Sequence, residues 1–386
     1  RERTRPFRHL FGYEPHFLDV QGRALHYVDE GTVDKGGPGP ILCVHGNPTW
    51  SFYWRAVVDG FKDETRVVVP DHLGMGLSDR VSGGTRLAEH VDALVALMDE
   101  LDLRDVTLVV HDWGGAIGFG AALARPDRVS RFVVTNTAAF PSSRIPRRIA
   151  LCRVPGLGRL AVQGGNAFAR AATRMTTERP LTAEVRAALL APYSNWSERE
   201  QTWRFVADIP MREDHPSWAP LAGIADGLAG LRGLPMEIVW GMQDWCFSPL
   251  FLAGWEQRFP RVNVTRLDDV GHYVMEDAPE QVLDALGSGA DPAVGPLEAE
   301  VACAGVDLDV EILPEQTGVA VVGTEDKDRL LVGAQRNREF GQGARVVRRA
   351  ARTRAARGRR RAAPRAGGCR RGPACRRRGR RWYRSP

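Results

Sequence analysis

Val106-Thr-Leu-Val-Val110 is an apolar run that stops at His111-Asp-Trp-Gly-Gly115, and Ala116-Ile-Gly-Phe-Gly-Ala-Ala-Leu123 follows with helical character. A strand, a tight glycine-rich turn and a helix in immediate succession leave few folds open. Such a strand belongs in a sheet covered on its faces, and the turn holds its residues at the strand's carboxyl end. Asp112 occupies that turn. A carboxylate held there is suited to displacing a leaving group from sp³ carbon and forming an ester. The same residue also reads as an N-cap of the following helix, a role Asp fills well.

Other stretches extend the pattern. Pro40-Ile-Leu-Cys-Val-His45 runs into Gly46-Asn47-Pro48-Thr49, and Arg66-Val-Val-Val-Pro70 runs into Asp71-His-Leu-Gly-Met-Gly-Leu-Ser-Asp79. Val129–Thr135, Met236–Trp240 and Asn263–Leu267 are further apolar strands, the last two leading into Gly241-Met-Gln-Asp244 and Val270-Gly-His272. Strands alternating with helical segments predict an α/β protein with a mostly parallel central sheet and helices on both faces. Functional residues in such sheets lie beyond the carboxyl ends of the strands, where each of these loops begins.

Taken together, these motifs resemble those of α/β-hydrolases. Their nucleophile elbow is usually written G-x-S-x-G; here Val110 stands at the first glycine, Asp112 at the nucleophile and Gly114 at the closing glycine. The order Asp112, Asp244, His272 is nucleophile, acid, base, as that fold requires. His45-Gly-Asn-Pro-Thr-Trp-Ser-Phe-Tyr-Trp54, Pro70–Asp79 and His111–Gly115 look like haloalkane dehalogenases over roughly residues 10–286. Asn136-Thr-Ala-Ala-Phe140, Gly165-Asn-Ala-Phe168 and Thr202–Pro210 are similar to the branch that includes β-lactone decarboxylases of long-chain olefin biosynthesis.

That resemblance implies an α/β-hydrolase fold with an inserted helical cap, and a role for each residue. Asp112 attacks the electrophilic carbon. His272 activates water against the resulting ester, and Asp244 orients His272 and stabilises its imidazolium. The backbone N–H of Trp113 and a donor from the loop at Asn47 receive developing negative charge. For halide release, the Trp113 indole and the Asn47 amide would cradle the anion. Trp113 also reads as a packing residue under the cap, and Asn47 as a residue holding its turn. Asp268 and Asp269 compete with Asp244 by nearness to His272. A subset of dehalogenases places a Glu after the sixth strand, where this chain has Asn136. His45, His72 and His111 read as braces for their loops. Phe140, Phe168, Trp196, Trp203 and Phe205 are candidates for an apolar pocket or for ordinary core.

Two reactions fit this set: conversion of a long-chain cis-β-lactone to olefin and carbon dioxide, or hydrolysis of a haloalkane. Epoxide opening in this fold needs two cap tyrosines, and Tyr193 is the sole tyrosine between 138 and 229. A complete triad argues against a non-catalytic binder. No cofactor is implied, because Walker, Rossmann and metal-ligand patterns are absent and Gly74-Met-Gly76 is too short for a phosphate loop. The expected partner is a small apolar substrate, with assembly among olefin-biosynthesis enzymes and peripheral membrane contact left open.

Net charge divides the chain. Of its 53 Lys and Arg, 18 Arg lie in 341–386 with no acid among them, leaving 35 basic against 47 acidic residues in 1–340. The body is therefore acidic, and the overall excess of +6 is no argument for nucleic-acid binding. The six cysteines, Cys43, Cys152, Cys246, Cys303, Cys369 and Cys375, show no zinc spacing and read as reduced thiols of a cytoplasmic protein. No apolar stretch approaches a membrane span, and Arg1–Pro6 precedes no apolar signal core. The first residue is not Met, which reads as a truncated start.

These features divide the chain into hydrolase core over 1–137 and 230–286, a helical cap over 138–229, and a linker with a poorly defined extension over 287–340. The last segment, 341–386, is an Arg-rich tail whose composition reads as disordered, as a basic tether or as an out-of-frame extension.

Overall fold

A computed structural model describes residues 4–34 and 36–288. The expectations for 341–386, and for the extension past Ser288, lie outside the described residues.

Eight strands form one sheet: β1 (His16–Val20), β2 (Arg23–Glu30), β3 (Ile41–Val44), β4 (Val67–Pro70), β5 (Val106–Asp112), β6 (Val129–Thr137), β7 (Met236–Gly241) and β8 (Asn263–Leu267). Their order is β1-β2-β4-β3-β5-β6-β7-β8. β2 is antiparallel to both neighbours, and every pairing from β4 to β8 is parallel. The central strands are short runs of Val, Leu and Ile, buried along their whole length in β3 and β4, as strands covered on both faces must be. Towards the edges burial relaxes. β1 and β8 each expose most of their residues or leave them half-buried.

The β1–β2 hairpin has no counterpart in the sequence reading. Its two-residue turn is Gln21-Gly22, both at positive φ (55° and 79°), the conformation for which Asn-Gly is the usual signal.

The helices before the long β6–β7 connection are α1 (Arg55–Phe61), α2 (Leu87–Glu100) and α3 (Trp113–Ala124). That connection carries helices and no strand: α4 (Arg147–Cys152), α5 (Leu157–Arg159) running into a π turn over Leu160–Gly164, α6 (Ala167–Met175), α7 (Ala183–Leu190), α8 (Glu200–Asp208) and α9 (Trp218–Gly227). After β7 come α10 (Pro249–Arg258), α11 (Val274–Asp277) and α12 (Pro279–Gly287).

α3 begins three residues before the expected Ala116, so Gly114 and Gly115 are helical rather than part of the turn. They are small for a packing reason: a Cβ at Gly114 would overlap the Val44 carbonyl, and one at Gly115 would overlap the Thr137 side chain. The first turn of α3 is thereby pressed onto β3 and β6, which fixes the residue before it.

Candidate functional site

Asp112 ends β5 and immediately precedes α3 at φ 52°, ψ −125°. A non-glycine residue there is strained by about 1–3 kcal/mol, which the packing of α3 must hold in place. Its side chain makes no capping bond to α3, so the N-cap reading fails. Instead Oδ1 accepts the backbone N–H of Asn47 at 2.7 Å. The loop comes this close because residue 46 is glycine; a Cβ there would overlap the Asp112 carboxylate.

The other oxygen, Oδ2, faces His272 Nε2 at 3.6 Å, an ion-pair distance longer than a hydrogen bond. On the far side His272 Nδ1 lies 2.7 Å from Asp244 Oδ2. Asp244 is held by two more donors: Cys246 N–H at 2.6 Å and Asn136 Nδ2 at 3.0 Å. All three residues are buried. Asp269, a competing acid, is exposed and pairs with Arg179 instead.

Asn136 contributes contacts that its place in the sequence does not reveal. At the end of β6, with φ 23°, it brackets the end of β7: Oδ1 accepts Gly241 N–H at 2.8 Å, and Nδ2 donates to the Gly241 carbonyl at 3.0 Å as well as to Asp244. The first loop residue past β7 thus starts from a fixed point.

Electrostatics follow from this line of alternating charge. Burial opposes ionisation of His272, yet the carboxylates of Asp244 and Asp112 outweigh it and push the imidazole up to about 10. Burial likewise works against the Asp112 carboxylate, but the facing His272 and the Asn47 N–H hold it below its usual value. Asp112 is therefore an anion poised beside an imidazolium. His111 behaves oppositely. Burial and the neighbouring His272 lower it to about 3, and as a neutral ring it donates from Nε2 to the His272 carbonyl at 2.9 Å.

A second histidine pair braces the Asn47 loop. His45 donates from Nδ1 to the Gly46 carbonyl at 2.8 Å and receives His72 N–H at 3.1 Å, while His72 Nε2 donates to the His45 carbonyl at 2.7 Å. Burial lowers both, which keeps them neutral.

Asn47 and Trp113 wall the same cavity as Asp112. The Asn47 amide donates to the Thr202 carbonyl of α8 at 3.1 Å, and its Oδ1 is buried without a partner. Thr202 is thus a support that sequence reasoning did not assign; the pair is 155 residues apart in the chain. The Trp113 ring packs 5.0 Å from Phe205.

The cavity at Asp112 measures about 130 Å³ and is walled by Phe140, Ile209, Leu221 and Phe251. A larger one, about 560 Å³, reaches His272 and is walled by Leu157, Ala171 and Met175. The two share Asn47, Ile149, Phe168 and Cys246, so they form adjacent lobes, with Asp112 in the wall of the smaller and His272 in the wall of the larger. Phe140 and Phe168 line this space; Trp196 is exposed, Trp203 lies outside the walls, and Phe205 stacks on His90. Tyr193 is buried away from it, its hydroxyl donating to the Thr49 carbonyl at 2.9 Å.

A doubly covered sheet with an acid, a base and a strained elbow at its carboxyl edge defines an α/β-hydrolase-fold enzyme. Residues 39–279 match the family described as alpha/beta hydrolase fold, and the chain belongs to that family. Its relatives are named enzymes. The cis-3-alkyl-4-alkyloxetan-2-one decarboxylase of Shewanella oneidensis is 39% identical over 282 residues, covering 71% of this chain and 87% of the relative. That of Xanthomonas campestris pv. campestris is 40% identical over 289 residues, covering 72% and 95%. Haloalkane dehalogenase 2 of Mycobacterium tuberculosis is 33% identical over 287 residues, covering 73% and 96%. Among solved structures, the haloalkane dehalogenase DbeA from Bradyrhizobium elkani has a TM-score of 0.63 at 27% identity, covering 71% of this chain and 96% of that one.

Proposed function

We propose that this chain is a β-lactone decarboxylase that converts a long-chain cis-3-alkyl-4-alkyl β-lactone into a cis olefin and carbon dioxide, a step of olefin biosynthesis. The observation that carries it is that Asp112 opens on one apolar lobe and His272, backed by Asp244, on an adjacent one. A four-membered lactone bearing two alkyl chains fits such a site with its polar ring at the triad and one chain in each lobe.

The Asp112 carboxylate attacks the alkyl-bearing carbon bonded to the ring oxygen. A bond to Asp112 forms as the ring C–O bond breaks, and the electron pair leaves as a substrate carboxylate. Carbon dioxide then departs, its former C–C pair becomes the olefin π bond, and the bond to Asp112 breaks to restore the carboxylate. No water is consumed. Attack inverts the carbon and elimination is anti, so a cis ring yields a cis olefin if the C–C bond does not rotate. Chains seated in separate lobes prevent that rotation.

In this reading Trp113 N–H and the Asn47 loop receive the developing negative charge, and the His272 imidazolium balances whichever carboxylate is free. The helices of 138–229 act as the cap that excludes water over the two core segments, 1–137 and 230–286. We place the reaction in the cytoplasm, where Cys43, Cys152 and Cys246 stay unbridged. Among the described residues no helix is long and apolar enough to cross a membrane.

Haloalkane dehalogenation is the second reading, favoured by Asn47 and Trp113 lying beside Asp112 as a halide cradle would. Once Asp112 is esterified, it no longer raises the His272 pKa, and the histidine becomes free to act as a base towards water. Purified protein given a long-chain cis-β-lactone and, separately, a bromoalkane decides between the two. Alkene without bromide supports the first; rapid bromide without alkene refutes it. Asp112→Ala abolishes either activity.

A further inference from the structure

The larger lobe opens through an unusual piece of surface. From Ala138 to Thr177 the chain holds seven Arg and no Asp or Glu, within a body that is otherwise strongly acidic. On the same segment large aliphatic side chains face outward: Leu151 is 62% exposed, Leu157 and Leu160 are each 59% exposed, and Val154 and Met175 are also exposed. Leu151, Leu157 and Met175 are at the same time walls of the 560 Å³ lobe, so this apolar patch is its rim. Arg147, Arg170 and Arg174 of the same segment are exposed and paired with no acid among the described residues. Arg148 lies over the Trp245 ring at 5.2 Å.

Exposed aliphatics on one segment with unpaired arginines are costly in water and suit a boundary between hydrocarbon and anionic headgroups. A protein partner matched to this face would need a complementary acidic apolar groove. A bilayer leaflet containing anionic lipid supplies both halves at once, with headgroups for the arginines and acyl chains for the leucines. We propose that the α4–α6 surface docks on an anionic membrane and that the larger lobe opens into the lipid phase, so that a lipophilic substrate enters without crossing water. The docking rests on charge and exposure and stands whichever apolar substrate the enzyme takes.

The Arg-rich tail would also attract anionic vesicles, so the test must be local. Hydrogen–deuterium exchange is followed on the full chain with vesicles of phosphatidylcholine alone and of phosphatidylcholine mixed with phosphatidylglycerol. Slowed exchange across 147–175, only with the mixed vesicles, is the expected result. Two variants leave the cavity walls untouched: Val154→Ser with Leu160→Ser, and Arg147→Glu with Arg170→Glu and Arg174→Glu. Each should remove the local protection, the second lowering vesicle affinity roughly tenfold or more, while turnover of a short-chain, water-soluble substrate is unchanged. Protection confined to peptides beyond Ser288, or equal protection in wild type and both variants, overturns the proposal.

Discussion

Asp244→Asn isolates the charge that sets the state of His272. The Asp244 carboxylate lies 2.7 Å from Nδ1, and the centres of the two charged groups are about 4 Å apart. At an effective dielectric of about 20, that pair is worth about 4 kcal/mol, or about 3 pH units of imidazole titration. Burial, which opposes the charged form, remains. The imidazole, pushed up to about 10 by its two carboxylates against the effect of burial, should then lose its proton about 3 pH units lower. The amide also presents an N–H where both Asn136 Nδ2 and His272 Nδ1 donate. The ring should therefore lose its orientation, and kcat should fall roughly 10³–10⁴-fold, as when a triad aspartate elsewhere becomes asparagine. The assay is an NMR titration of ¹⁵N-labelled histidine, with His272→Gln used to assign the resonance. Asp269→Asn serves as the control. An unmoved His272 titration in Asp244→Asn, or an equal shift in Asp269→Asn, would refute the reasoning.

Gly46→Ala should push the Asp112 carboxylate aside by about 1 Å and lower kcat about 10²-fold with the fold intact by circular dichroism. Asn136→Leu removes the partner of Gly241 N–H and one of two donors to its carbonyl, which keeps Asp244 N–H at 3.3 Å, and should lower stability by about 1–3 kcal/mol in urea unfolding. Turnover in H₂¹⁸O should leave the olefin-forming enzyme unlabelled, whereas a hydrolytic ester cycle would put label into Asp112. Stability should also follow pH in two ways. His272, raised in the folded state, contributes fully below its unfolded value of 6.5, a contribution lost as pH rises through about 10. Asp112, held below 3.8, contributes above that value and loses its contribution as pH falls through its lowered folded value. Thermal melts of wild type against His272→Gln and Asp112→Asn read both limbs.

The parallel core was legible because strands buried on both faces are nearly unbroken aliphatic runs, and Val67-Val-Val69 admits few other readings. Asp112, Asp244 and His272 could be picked out as candidates because each stands near the carboxyl end of a strand: Asp112 closes β5, Asp244 comes three residues after β7 and His272 five after β8. β1 and β2 were not. Their exposed and half-buried residues carry no aliphatic run, and a Gln-Gly turn lacks the usual hairpin signature. The start of α3 was misplaced for a related reason: Gly114 and Gly115 look like a turn in one dimension, but they serve close packing in three. Thr202 under Asn47 and Cys246 N–H on Asp244 were hidden because a backbone group's partners depend on where the chain lies, not on the residue type that carries it.

β6 and β7 end side by side, and one oxygen of Asp244 touches both His272 and Asn136. The acid can therefore change address without moving the base. A single base change turns an asparagine codon into an aspartate codon, so position 136 can acquire a carboxylate while residue 244 still has one. The resulting pair would crowd two like charges and retain a proton between them. Either acid could then be lost by drift, and relatives of this chain could inherit the same histidine with its counter-ion on different strands.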